Sequence, residues 1–244
     1  MKRLLPIAVL LMTMFAVGAC SSAKPLTAKD YFAQGKAYDT SGQYDNALEA
    51  FNKAIEVNPQ YVEAIAYQGT TYINKGDYDN ALANFNRAIA VDPRYPKSYS
   101  NRGFLYNQLG EYDKALSDLD KAIELDPQYQ QAFNNRGFTH FSMGDYDRAI
   151  ADFSKSIELK PDVARTYFNR GEVYLAQEDY QHAIADFSQA IDLKSDYAKA
   201  YLDRGFTFMK VGERDKAIID LEKALKFDAS LKQTIDPILA NLKQ

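Results

Sequence analysis

The sequence repeats itself every 34 residues, and this period constrains the fold more than any other feature. Small residues recur once per period, as Gly35, Gly69, Gly103, Gly137, Gly171 and Gly205, and again as Ala47, Ala81, Ala115, Ala149, Ala183 and Ala217. Proline closes four of the units, at Pro59, Pro93, Pro127 and Pro161. A fixed period of this length predicts a stack of structural repeats, because one unit cannot bury its own apolar face.

Within each unit the spacing of apolar residues predicts two helices. In the third unit Gly103 and Tyr106 mark one face of a first helix, and Gly110 is the residue type that ends a helix. Ala115 and Leu119 then recur at helical spacing in a second helix. Gly103 and Ala115 are small where two antiparallel helices must come close, so we expect a helical hairpin.

This pattern closely resembles the tetratricopeptide repeat (TPR). The resemblance covers residues 28–231 as six units: 28–61, 62–95, 96–129, 130–163, 164–197 and 198–231. It implies an all-α fold, a right-handed superhelix (an α-solenoid) of six helix-turn-helix repeats. In residues 232–244 Ile235, Ile238 and Leu242 recur at helical spacing, which predicts a helix that caps the last repeat.

The N-terminal residues read as an export signal. Lys2 and Arg3 precede an apolar stretch at 4–17, which is shorter than the roughly 20 residues that span a bilayer. Residues 1–19 are therefore expected to be a signal peptide. Residues 17–20, Val-Gly-Ala-Cys, resemble a lipobox, which implies that Cys20 is acylated, with palmitate for example, and that residues 20–27 are a lipidated tether. Val17 and Ala19 also fit an ordinary secretory cleavage site, which would release a soluble protein instead.

The same resemblance implies a location. Ser21 and Ser22 follow the cysteine, as in lipoproteins that are sorted by default to the outer membrane. We therefore expect a lipid-anchored protein of the bacterial cell envelope, on the outer membrane and facing the periplasm if the cell has two membranes.

Composition excludes several classes of function. A net charge of −4 argues against nucleic acid as a partner. One cysteine and two histidines leave little for a disulfide framework or a metal site. The sequence contains no phosphate-binding glycine loop, no HExxH and no Gly-x-Ser-x-Gly. We expect no enzyme activity, catalytic residue, cofactor or metal.

Four repeats share an arginine and, sixteen residues later, an aspartate. The pairs are Arg102 with Asp118, Arg136 with Asp152, Arg170 with Asp186, and Arg204 with Asp220. The first two repeats lack both residues. Because the two residue types come and go together, we expect a structural ion pair between the two helices of each hairpin, in which the planar guanidinium holds the carboxylate at two points.

The TPR resemblance also implies a binding groove. In TPR superhelices the first helix of each repeat lines the concave surface, mainly through its second, fifth, sixth, ninth and twelfth places. Here these places include a row of asparagines, three cations and two aromatic residues: Asn101, Asn135, Asn169, Lys97, Arg165, Lys199, Phe104 and Phe138. A side-chain amide both donates and accepts, as a peptide group does, so the row suits an extended polypeptide.

The expected function is thus a membrane-anchored scaffold or adaptor that binds a partner polypeptide in the groove and aids assembly or recruitment of an envelope complex. TPR lipoproteins of this kind resemble adaptors for envelope proteases and peptidoglycan enzymes, and pilotins. Two alternatives remain: docking of a folded partner on the convex face, and binding of a small ligand or glycan in the groove. A homo-oligomer is plausible, but no residue pattern specifies one.

Overall fold

The computed structural model describes residues 25–244, and within them the chain is all-α. The expected signal peptide and Cys20 lie outside the described residues. The helices are α1 (Ala28–Thr40), α2 (Tyr44–Val57), α3 (Val62–Asn74), α4 (Tyr78–Val91), α5 (Pro96–Gln108), α6 (Tyr112–Leu125), α7 (Gln130–Ser142), α8 (Tyr146–Leu159), α9 (Ala164–Ala176), α10 (Tyr180–Leu193), α11 (Ala198–Lys210), α12 (Arg214–Phe227) and α13 (Lys232–Leu242).

Local sequence explains where each hairpin starts and turns. In the third repeat Pro96 stands at the start of α5, where its fixed φ favours a helix. Gly110 takes φ +75° in the turn, a left-handed conformation that glycine adopts without strain. Asp113 lies in the first turn of α6, where its negative charge interacts favourably with the positive end of the helix dipole. In the fifth repeat Glu178 takes this turn position at φ +60°, so the turn forms there without glycine.

The two helices of a hairpin come close at the repeated glycine. A Cβ built on Gly171 would lie 2.7 Å from Cε1 of Phe187, whose side chain is fully buried. The repeated alanine of the second helix, Ala183 in this hairpin, is also fully buried. Small residues at these two places therefore set the distance between the helices, as the sequence predicted.

The stack of hairpins has a defined inner side. Each first helix contacts the first helix of the next repeat, in the order α1, α3, α5, α7, α9 and α11. Within residues 25–244 no second helix contacts the next second helix; each packs on its flanking first helices. The first helices therefore lie on the shorter path of the curved stack and line its concave side.

The last repeat is covered by α13. Ile235 is fully buried and Leu239 nearly so, in a cluster with Leu221, Ala224 and Tyr201 of the sixth repeat. A short 3₁₀ turn at Ala229–Leu231 leads into this helix. The apolar stripe that the sequence predicted thus closes the C-terminal end of the core.

Each repeated arginine joins the two helices of its own hairpin. Nε of Arg136 donates to Oδ2 of Asp152 at 2.8 Å, and Nη2 donates to Oδ1 at 2.7 Å. The other three pairs have the same bidentate geometry, at 2.6–2.7 Å for Arg102 with Asp118, 2.8 Å for Arg170 with Asp186, and 2.7–2.9 Å for Arg204 with Asp220. The four aspartates are all buried.

The third nitrogen of each guanidinium reaches the preceding repeat, which sequence analysis did not predict. Nη1 of Arg136 donates to Oδ1 of Asp120 at 2.6 Å, and Nη1 of Arg102 donates to Oδ1 of Asn86 at 2.6 Å. In the next two repeats a serine hydroxyl accepts instead, from Arg170 to Ser154 and from Arg204 to Ser188. Each arginine therefore ties three helices together, two in its own hairpin and one in the hairpin before it.

We expect Asp152→Ala to lower the free energy of unfolding by about 3–5 kcal/mol, because it leaves the partly buried Arg136 without its bidentate partner. The double variant Arg136→Leu/Asp152→Ala should lose less, because no unpaired charge remains in the interior. Asp120→Ala removes only the contact between Nη1 of Arg136 and the exposed Asp120 carboxylate, and should cost at most about 1 kcal/mol.

Urea unfolding followed by circular dichroism measures all three variants. Equal losses in the single Asp152 variant and in the double variant would contradict a structural ion pair.

Candidate functional site

A cavity of about 380 Å³ opens in the middle of the concave groove. Its walls come from four successive first helices, α3, α5, α7 and α9, and from the loop before α9. The lining residues are Thr70, Ile73, Asn74, Asn101, Phe104, Gln130, Gln131, Asn134, Asn135, Lys160, Val163, Arg165 and Thr166. Six of them carry side-chain amides, and the only charged ones among these described residues are Lys160 and Arg165. The cavity therefore offers amide donors and acceptors beside a positive charge.

The predicted asparagine row serves mainly to join neighbouring repeats. Nδ2 of Asn135 donates to Oγ of Ser100 at 3.1 Å, and Nδ2 of Asn169 donates to Oδ1 of Asn134 at 3.3 Å. Asn135 and Asn169 are only 8% and 7% exposed. In Asn135 and Asn169 the amide nitrogen is therefore already hydrogen-bonded to a neighbouring repeat.

Asn101 is the most accessible member of the row. It is half-buried and lines the cavity, and its Nδ2 donates to Oγ1 of Thr70 at 3.3 Å. Asn135 also lines the cavity, whereas Asn169 does not.

The accessible amides of the cavity lie elsewhere. Asn74 and Gln131 are exposed, and Gln130 and Asn134 are half-buried. Sequence analysis singled out none of these four residues, although Gln131 and Asn134 occupy the second and fifth places that the TPR resemblance assigns to the groove. These amides, rather than Asn169, are the accessible ones in the cavity.

The three predicted cations have different surroundings. Arg165 is exposed and lines the cavity, and Lys97 is exposed at the same place two repeats earlier. Nζ of Lys199 lies 2.9 Å from a carboxylate oxygen of Glu172 and 4.6 Å from the centre of the Phe168 ring. Because Lys199 is already paired, Arg165 and Lys97 are the cations most available to an acidic ligand.

The two predicted phenylalanines also differ. Phe104 is half-buried and forms part of the cavity wall. Phe138 packs against the buried cluster of Ala149, Phe153 and Val173. Phe104 is thus placed to contact a ligand, while Phe138 contributes to the core that supports the groove.

The C-terminal part of the groove is acidic. Asp203 occupies the sixth place of the last repeat, where three earlier repeats carry asparagine. Burial, together with the nearby charge of Glu172, raises the pKa of Asp203 to about 6, and Lys199 opposes the change. The groove therefore changes character along its length, from amides and cations around α5–α9 to carboxylates around α9–α11.

The described residues contain no group of three or more His, Cys, Asp and Glu side chains that could hold a metal ion.

His140 is buried at the eleventh place of its repeat, where four other repeats carry tyrosine. Burial lowers the pKa of His140, although Asp152, 3.8 Å away, opposes the shift. His140 is therefore a packing residue next to the Arg136–Asp152 ion pair.

Family models described as tetratricopeptide repeat match the chain at residues 28–61, 50–83, 68–133, 128–196 and 198–231. No curated protein matches the chain by sequence. None of the helices within residues 25–244 has the length and apolar character needed to cross a bilayer.

Solved structures share the fold. A chain of the APC/C hetero-tetramer Cut9-Hcn1 superposes with a TM-score of 0.80 at 21% identity over 89% of this chain, which spans 43% of that one. Pseudomonas aeruginosa pilF gives 0.67 at 22% identity over 85% of this chain and 91% of its own. YrrB, a TPR protein described as having an unusual peptide-binding site, gives 0.55 at 22% identity over 79% and 96%. At these identities the likeness shows the fold.

We expect Asp203→Asn to stabilise the protein at neutral pH. Because the pKa of Asp203 is raised from 3.8 to about 6 in the folded state, the stability that this group contributes is present below about pH 4 and is lost as pH rises through about 6. The substitution should remove that loss and add up to about 3 kcal/mol at pH 7.5, with little change at pH 4.

Urea unfolding at the two pH values tests this, with Asp196→Asn, on an exposed loop, as a control for loss of one negative charge. The same gain at both pH values, or the same gain in the control, would contradict the assignment.

Proposed function

We propose that this chain, which belongs to the tetratricopeptide repeat family, is a non-enzymatic scaffold of the bacterial cell envelope. In this proposal it binds a segment of a partner polypeptide in its concave groove. The TPR fold and its structural neighbours support a protein-binding scaffold. The observation that carries the finer proposal is the amide-lined cavity between α3 and α9, whose only charged lining residues are Lys160 and Arg165.

The geometry of this cavity suits an extended chain. Packed helices lie about 8–10 Å apart, so four first helices span roughly 25–30 Å. An extended segment rises about 3.3 Å per residue, so about eight residues would cross all four helices. The amides can pair with the peptide groups of such a segment irrespective of its sequence, while Arg165 favours segments that carry a carboxylate.

The proposed anchor joins this groove to a membrane. Acylation of Cys20 would tether the first repeat to the envelope through a few residues, and stable anchoring takes more than one acyl chain. A tethered groove would hold its partner close to the membrane surface, which is the arrangement that an assembly factor or an adaptor needs. The likeness to pilF shows the fold and does not select a pathway.

Charge reversal in the groove tests where the partner binds. The variant Lys97→Glu/Arg165→Glu changes exposed groove cations and leaves the Lys199–Glu172 pair intact. The matched control Lys121→Glu/Lys155→Glu makes the same charge change on second helices, at lysines whose side chains are 40% and 39% exposed. Partners are recovered from the native bacterium with the full-length protein and quantified by mass spectrometry.

We expect the amount of a partner recovered with the groove variant to fall at least tenfold, while the amount recovered with the control stays unchanged. A loss of about 1.4 kcal/mol of binding free energy lowers the affinity tenfold. The opposite result, retention by the groove variant and loss by the control, would place the partner on the convex side and overturn groove binding.

The anchor has a separate test. Cys20→Ala should abolish incorporation of labelled palmitate and move the protein from the membrane fraction to the soluble fraction, while Ser21→Ala should change neither. Palmitate labelling that persists in Cys20→Ala would refute the proposed lipidation site without bearing on the groove.

A further inference from the structure

The central cavity coincides with a break in a row of tyrosines. The last residue of a repeat is tyrosine in four of the six units and valine in the fourth: Tyr61, Tyr95, Tyr129, Val163, Tyr197 and Leu231. Val163 is among the residues that line the cavity. Neither sequence periodicity nor the TPR resemblance assigns a role to this exception.

In the first and fifth repeats the tyrosine packs on the fifth residue of its own repeat. The ring centres of Tyr61 and Phe32 are 5.2 Å apart, and those of Tyr197 and Phe168 are 5.1 Å apart. Oη of Tyr129 donates to Oε1 of Gln131 at 3.3 Å. In the first and fifth repeats the closing tyrosine therefore covers the fifth residue of its hairpin.

In the fourth repeat the corresponding residues are Asn134 and Val163, and both line the cavity. The backbone at Val163 has φ −103° and ψ 95°, close to φ −90° and ψ 101° at Tyr95. Because the backbone follows the same path, a tyrosine at position 163 would carry its ring toward the space that Val163 and Asn134 line.

The walls of this space define what fits. Ile73, Phe104 and Val163 supply apolar surface, and the amides supply partners for a polar tip. Its volume of about 380 Å³ lies within the range of roughly 300–1,000 Å³ typical of ligand pockets. Arg165 and Lys160 are both exposed at this site, so the cavity carries a local positive charge in a protein whose net charge is −4.

We propose that the cavity beside Val163 receives an aromatic side chain of the bound segment, in the place where other repeats put their own tyrosine, while a carboxylate next to that side chain pairs with Arg165. The inference rests on groove binding and specifies the partner: a polypeptide segment with Phe, Tyr or Trp beside Asp or Glu. A buried aromatic anchor surrounded by adaptable polar contacts is the arrangement that concentrates binding energy in other interfaces.

The test uses a variant that closes the cavity with a residue the fold already accepts. Val163→Tyr restores the tyrosine of four other repeats, and Val163→Thr keeps the size of valine and leaves the cavity open. A random peptide library displayed on phage is selected against the purified full chain and both variants. Affinities of the selected peptides are then measured by titration calorimetry.

We expect the natural protein and Val163→Thr to select peptides with an aromatic residue beside an acidic one, and Val163→Tyr to bind those peptides at least tenfold more weakly. Arg165→Gln should reduce the preference for the acidic neighbour, whereas Lys97→Gln, the same change at the same place in the third repeat, should not. Nuclear Overhauser contacts between the peptide ring and the Val163 methyl groups give a readout in the unaltered protein, which does not depend on how the variants fold.

Each result decides between the two proposals. Selected peptides without aromatic enrichment, or equal affinity for Val163→Tyr and Val163→Thr, would overturn the aromatic pocket and leave groove binding standing. Absence of ring contacts with the Val163 methyl groups would overturn the pocket as well. Failure of all three proteins to select any peptide would overturn both groove binding and the pocket.

Discussion

The groove exists because successive first helices touch each other while successive second helices do not. This asymmetry bends the stack and turns the first helices toward the concave side. Small residues close each hairpin: a Cβ on Gly171 would meet the buried ring of Phe187 at 2.7 Å. The concave surface thus depends on how the helices pack within and between repeats, before any residue of the groove is considered.

Polar side chains then fix each repeat against the one before it, and this use limits what the groove can offer. The guanidinium of Arg136 holds Asp152 in its own hairpin and Asp120 in the preceding one. The amide of Asn135 donates to Ser100 across the same junction. Removing one partner of such a buried, hydrogen-bonded pair is costly, so these groups hold each repeat in place against its neighbour. In the proposed function, ligand binding falls to the side chains that remain accessible, such as Gln131, Asn74 and Arg165.

Sequence alone predicted the helices, the hairpins and the bidentate ion pairs, because the same residue types recur at the same places. It did not predict the link from Arg102 to Asn86, since the accepting residue changes from asparagine to aspartate to serine along the chain. It placed the asparagine row in the groove but not the direction of each amide, which depends on the neighbouring helix. The sequence does show a valine, Val163, at a place where four other repeats carry tyrosine. The cavity beside it could be recognised only from the structure.

Site-specific photocrosslinking in living cells tests the central claim most directly. A photoreactive amino acid is placed at Gln131, which is exposed in the groove, or at Lys155, which lies on the second helix of the same repeat. The account predicts a covalent adduct with a partner protein from position 131 and none from position 155. An adduct from position 155 alone would show that the partner binds the outer surface, and the groove would not be the functional site.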